Sequence, residues 1–265
     1  MNMKTKRIHL FEFEDQKWFP QLLRNYVTDF LQYLANKVKV YEPVVDVINE
    51  TLQKSDTTQI IDLGSGGGGG LLWLGKELQN KNSEISIKFT DLYPNIEAFQ
   101  HTTSQSDIFE YHSEPINAKN VPENLKGLRT MFLSFHHFRP QEAKMVLQNA
   151  INNDQPIAIF EIQDRGLPSI VAMLLSPLSV LATTPFIRPF RLSRLIFTYL
   201  IPIVPLIVLW DGIVSALRTY TADEMKDLVN TLENNTAFEW EFNKKKSKTG
   251  FVIYTIGIPK KQYKS

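Results

Sequence analysis

The residues best suited to chemistry begin with Ile60-Ile61-Asp62-Leu63, which runs into Gly64-Ser65-Gly66-Gly67-Gly68-Gly69-Gly70 and then Leu71-Leu72-Trp73-Leu74. A short apolar run, a glycine turn and a second apolar run read as a buried strand, a loop and a helix. Glycine carries no Cβ and tolerates positive φ. Such a loop can lie flat against a ligand while the free N–H groups of the helix start point at it. Gly64, Gly66 and Gly69 also fit G-x-G-x-x-G, a pattern that is weak on its own. The expectation is a nucleotide-like cofactor, with Gly64, Ser65, Gly66 and Gly68 lying against it.

Three further groups fall where ligands collect. Asp91, 27 residues after Gly64, ends a second strand and can accept both hydroxyls of a ribose; Leu92 follows it on the cofactor side. Ser134-Phe135-His136-His137 follows a fourth strand, with Ser134 expected at the cofactor. Glu161 and Asp164 follow a fifth. His136 and His137 are the candidate catalytic residues, because an imidazole can take a phenol, hydroxyl or amine proton near neutral pH.

The elements that hold these groups alternate. Strands are expected at 60–63, Ile85–Thr90, Ile108–His112, Thr130–Ser134 and Ile157–Ile162, with helices at Leu71–Leu78 and Glu142–Ile151 between them. Strand–helix units of this length predict an α/β, doubly wound, Rossmann-like sheet with ligands at the carboxyl ends of its strands. Two more strands, Ala237–Phe242 and Phe251–Ile258, are joined by a polar turn (Asn243 to Gly250), so they pair antiparallel and give seven strands with a reversed last one. Before the sheet, Trp18–Val38 and Val44–Leu52 read as helices of an N-terminal cap that covers the sheet edge. Its Trp18 and Phe19, with Tyr41, are placed to reach over the cofactor.

Composition narrows the classes. A net charge of +1 argues against nucleic acid as the main partner, and the absence of cysteine removes disulfides, thiolate metal sites and cysteine nucleophiles. No metal is assigned. The basic start, Met1 to Arg7, leads into Phe11-Glu12-Phe13-Glu14-Asp15, which does not read as a signal peptide, and a cytoplasmic location is expected.

With Asp62 two residues before the first glycine, Asp91 after the second strand and the closing hairpin, the chain resembles the class I S-adenosylmethionine-dependent methyltransferases over about 56–165 and 211–265. The resemblance implies S-adenosylmethionine as cofactor, with Asp62 orienting its amino-acid end and Asp91 holding its ribose. Asn117-Ala118 stands where the family usually has an Asp for the adenine amino group; the Asn carbonyl oxygen can still accept there. The Asn-Pro-Pro-Tyr-type signature of nucleobase and amide methylation is absent, which points to a small-molecule acceptor. A nicotinamide-dependent oxidoreductase explains the glycines and Asp91 but not Asp62 or the hairpin. A cofactor-binding module without catalysis is the third reading.

Between the fifth strand and the hairpin the rhythm breaks. Gly166 to Ile187 carries no charge for 22 residues and Leu195 to Trp210 none for 16, with Pro177, Pro185, Pro202 and Pro205 interrupting them. The expected organisation is therefore 1–55 cap, 56–165 cofactor-binding core, 166–210 apolar insert and 211–265 completion of the core. The insert reads as a lid over a lipophilic acceptor, as a patch dipping into the inner face of a membrane with Arg188, Arg191 and Arg194 at the headgroups, or as a helical hairpin through it. It is also a candidate homodimer surface.

Overall fold

Alternation along the strands sets the layers. In β1 (Gln59–Leu63) Ile60 faces one side of the sheet and Ile61 the other; in β5 (Ile157–Glu161) Ala158 and Phe160 oppose Ile157 and Ile159. Strands apolar on both faces must be covered on both. The computed structural model describes residues 6–247 and 250–261. The expectations for Met1–Thr5, and for Lys248 and Thr249 in the closing turn, lie outside the described residues.

With β2 (Ser86–Thr90), β3 (Phe109–Tyr111), β4 (Leu128–Phe132), β6 (Phe238–Ser247) and β7 (Gly250–Pro259), the strands form one seven-stranded sheet in the order β3-β2-β1-β4-β5-β7-β6. β1 to β5 pair in parallel, and β7 runs antiparallel to both β5 and β6. The expected doubly wound sheet with a reversed strand is observed. Asn243 to Ser247, expected as turn, instead extend β6 and pair with β7 as far as Gly250.

Helices α2 (Val45–Lys54), α3 (Leu72–Lys81) and α4 (Ile96–Thr103) cover one face, and α5 (Pro140–Asn152) and α10 (Ala222–Asn230) the other. α10 opens on a capping box, Thr221 and Glu224 bonding each other's backbone N–H.

Helix α1 (Gln21–Lys37) does not cover the sheet edge. Its Tyr26, Val27 and Phe30, with Phe19, pack into a third core against Val180, Ile187, Val204, Ile207 and Val208 of the insert. The insert is mostly helical, with an irregular stretch at 187–191: α6 (Leu167–Leu174), α7 (Ser176–Thr183), α8 (Leu192–Leu195), a π-helical turn at Ile196–Leu200 and α9 (Ile203–Arg218). The boundary expected at 210/211 falls inside α9. Among the described residues no single helix is long and apolar enough to cross a membrane. Two helix pairs, bent by 43° and 75°, have the length and composition together.

Candidate active site

The crossovers from β1 go one way, to β2 and β3, and from β4 the other, to β5. A crevice therefore opens between the carboxyl ends of β1 and β4, the usual ligand position in such sheets. A cavity of about 490 Å³ lies there. Asp62, Gly64, Ser65, Gly66, Gly68, Asp91, Leu92, Asn117, Ala118 and Ser134, all expected at the cofactor, line it together with His137.

The glycines divide their work. Gly64, Gly66 and Gly68 have φ of 70°, 60° and 73°, which L side chains rarely adopt. Gly67 and Gly69 serve packing instead: a Cβ on either would meet the Gln32 amide of α1 at 2.2 and 2.5 Å. Asn36, one turn further along α1, accepts the Trp73 N–H at 2.8 Å and donates to the Gly69 carbonyl. The run of glycines thus binds a helix on one side and leaves bare backbone on the other.

Two acids form the cavity floor. Asp91 accepts the N–H groups of Gly66 and Tyr93, both at 2.8 Å, one on each oxygen; burial raises its pKa against these bonds. Asp62 is buried, accepts the Thr130 hydroxyl at 2.9 Å, and is pushed up to about 7 by burial. Asn117 is exposed, and its Oδ1 already accepts the Lys119 N–H at 3.0 Å, so it caps its own turn. Leu133 has φ of 51°, an uncommon value outside glycine, which turns the chain so that Ser134 to His137 fold back over the sheet.

The two histidines part company. His137 lines the cavity, its Nδ1 2.8 Å from Asp15 Oδ1 and 3.3 Å from Glu12 Oε2. Burial alone would lower its pKa, but the Glu12 and Asp15 carboxylates outweigh that and lift it to about 10. His136, expected as a catalytic partner, is 3% exposed and lines no part of the cavity. Its ring and backbone N–H both meet Glu161 beneath.

The wall facing the sheet comes from an irregular strap before α1 that the sequence did not flag. His9, Glu14 and Asp15, with Arg24, Asn25 and Thr28 of α1, line it. The strap is fixed by charge: Arg218 donates to the Leu10 carbonyl and pairs with Asp15 at 2.6 Å and Glu12 at 3.1 Å. Asp211, mid-helix in α9, accepts the Phe13 and Glu14 N–H groups. Burial pushes Glu14 up to about 8, helped by Asp211, and Asp211 itself to about 7. The alternation of Phe and acid in Phe11-Glu12-Phe13-Glu14-Asp15 was the available signal. Tyr41 reaches the cavity as expected; Phe19 is buried in the third core, and Trp18 is exposed.

Among the described residues, none of the insert (166–210) lines this cavity. Nor do its three arginines form a free patch. Arg194 is buried against Asp29, Arg191 pairs with Glu97, and Arg188 alone is solvent-facing, bonded to the Pro185 carbonyl.

No family model matches the sequence, and no curated protein does. Among solved structures the chain is similar to the plantazolicin methyltransferase BpumL in complex with SAH, with a TM-score of 0.54, 11% identity, and coverage of 91% of this chain and 96% of that one. It is equally similar to BpumL with a monoazolic desmethylPZN analog and SAH, at a TM-score of 0.53, 12% identity, and coverage of 91% and 97%. Identity this low speaks to architecture, and so do the strand order and the reversed β7: the chain is built on the class I S-adenosylmethionine-dependent methyltransferase fold.

Proposed function

We propose that this chain is an S-adenosylmethionine-dependent methyltransferase whose acceptor is a lipophilic small molecule met at a membrane surface. The observation that carries the cofactor reading is the joining of Asp62 and Asp91 in one cavity with three positive-φ glycines. A ligand with an ammonium group at one end and a vicinal diol in its middle satisfies that set of acceptors. Asp91 would hold the ribose, Asp62 the amino-acid end, and Asn117 and Ala118 the adenine edge. A Cβ at Gly64 would stand 3.1 Å from the Ser134 Cβ, closing the cradle.

S-adenosylmethionine supplies, when bound, an electrophilic methyl group on a sulfonium. The chain's own residues then align the acceptor and exclude water. His137, fixed by Asp15 on the cavity wall, is the residue we assign to acceptor contact. Isothermal titration with SAH and with NAD tests the cofactor reading. Binding of SAH is expected; binding of NAD alone overturns it in favour of an oxidoreductase. SAH binding without methyl transfer to any lipid extract would favour a non-catalytic module.

The acceptor and the membrane rest on the insert's outer face. No side chain of helix α6 is fully buried, and Leu167, Leu178, Leu200 and Leu206 are 60–77% exposed. Each leucine moved into an apolar phase contributes about 1.5–3 kcal/mol, so a few suffice for peripheral binding. Co-sedimentation with liposomes tests this, using Leu178→Glu and Leu200→Glu because the arginines are mostly paired within the protein. Vesicle binding that these changes abolish is expected. Protein that ignores vesicles and dimerises through this face would overturn it.

A further inference from the structure

Beneath the cavity wall lie three carboxylates and two imidazoles against one guanidinium. Glu12 is 1% exposed, and its Oε1 has no hydrogen bond. That oxygen faces Arg218 Nη1 at 3.1 Å and His136 Nε2 at 3.9 Å, while Oε2 lies 3.3 Å from His137 Nδ1. The His136 and His137 rings stack with centroids 4.4 Å apart, and a nitrogen of each approaches Glu12, at 3.9 and 3.3 Å. One oxygen of Glu12 and these two nitrogens all lie within 4.8 Å of one another.

We propose that Glu12, His136 Nε2 and His137 Nδ1 form a binding site for a divalent first-row transition-metal ion. Ligands about 2.1 Å from a common ion stand some 3–3.5 Å apart, so a modest contraction of the present spacing completes the shell. Two imidazoles with one carboxylate favour zinc, cobalt or iron over magnesium or calcium, which prefer all-oxygen shells.

The surroundings are those of a built site. Glu161 accepts from His136 Nδ1 at 2.9 Å, which fixes the tautomer that leaves Nε2 bare and turned to Glu12. A carboxylate behind a ligating histidine is the usual outer shell of such centres. Arg218 holds one oxygen each of Glu12 and Asp15; when His137 Nδ1 takes the ion, its proton leaves to solvent and the 2.8 Å bond to Asp15 Oδ1 is given up, which frees that oxygen for a fourth position. His137 and Asp15 also line the cavity, so the ion would border the acceptor side. The site is independent of which cofactor the cavity holds.

The test uses the full chain after dialysis against a chelator. Titration with Co²⁺ followed by visible absorption, and with Zn²⁺ by calorimetry, is expected to show one equivalent bound, with Mg²⁺ giving no response. X-ray absorption of the zinc-loaded protein is expected to show two imidazoles in the shell. Glu161→Gln is expected to weaken zinc binding 10- to 100-fold, and Glu12→Gln and His137→Gln to remove it. If these variants fail to fold, the absorption spectrum of the native protein decides. No stoichiometric uptake at 100 µM zinc, a shell with fewer than two imidazoles, or full binding by folded His137→Gln would each overturn the assignment.

Discussion

Glu161 grips His136 at two points: its carboxylate meets the ring Nδ1 at 2.9 Å and the backbone N–H at 3.0 Å. The pair lies below the cavity rather than in it, so His136→Ala is expected to act on stability first. It leaves a buried carboxylate without its ring partner, which costs about 3 kcal/mol. Urea denaturation reads this directly. A variant as stable as the native chain, yet slow in turnover, would restore the catalytic role to His136.

Asp91→Ala is expected to weaken SAH binding by roughly 10²-fold, the value of losing a charged acceptor to two hydroxyls. It also frees the Gly66 N–H, so the loop loses its anchor. Calorimetry at one pH measures the loss. Unchanged affinity would remove the ribose assignment.

The pH dependence of stability should carry the mark of Asp62. Its folded pKa, about 7, lies above the unfolded value, so between about pH 4 and 7 the native state binds more protons than the unfolded one. Stability from this group is therefore full below pH 4 and falls as pH rises to 7. Asp62→Asn is expected to flatten that slope and make the ligand-free protein more stable at pH 8, by about 2–4 kcal/mol, while weakening cofactor binding. Thermal melts at pH 5 and pH 8 check it. An unchanged slope would place the buried proton elsewhere.

The glycine run offers an internal comparison. Gly68→Ala forces an L residue to φ of 73° and puts a Cβ 2.7 Å from the Phe89 ring, so a loss of about 2–4 kcal/mol is expected. Gly69→Ala meets the side-chain end of Gln32 at 2.5 Å and the Thr102 hydroxyl at 3.4 Å, with no backbone strain, and a smaller loss than for Gly68→Ala, about 1 kcal/mol, is expected. Chemical denaturation of the two variants gives the order; a reversed order would contradict the division of labour drawn for the loop.

Much of the sheet was legible because its rules are local. The apolar run of β5, the glycines after β1 and Asp91 after β2 are short-range signals, and the glycines and Asp91 meet in one cavity. What sequence hid was long-range. Nothing near Glu12 or Asp15 announces that Arg218, some 200 residues later, will hold them. His136 and His137 are neighbours of the same type, and nothing in their sequence says that His137 and not His136 lines the cavity. The insert reads as a lid by composition, but composition records apolarity, not direction. The same leucines that would line a pocket here face outward.

The margins of the sheet have a consequence for how copies of this chain can meet. β3 is only three residues long, and β6, at the opposite margin, carries Asn243 and the exposed Lys244, Lys245 and Lys246 along its outer half. A short strand offers few free backbone groups, and a row of lysines repels its own copy. Sheet-to-sheet growth is thereby discouraged at both ends. The sticky surface of the molecule is helical and lies on the insert, so crowding favours contact through helices over the fibrous stacking that open strands invite.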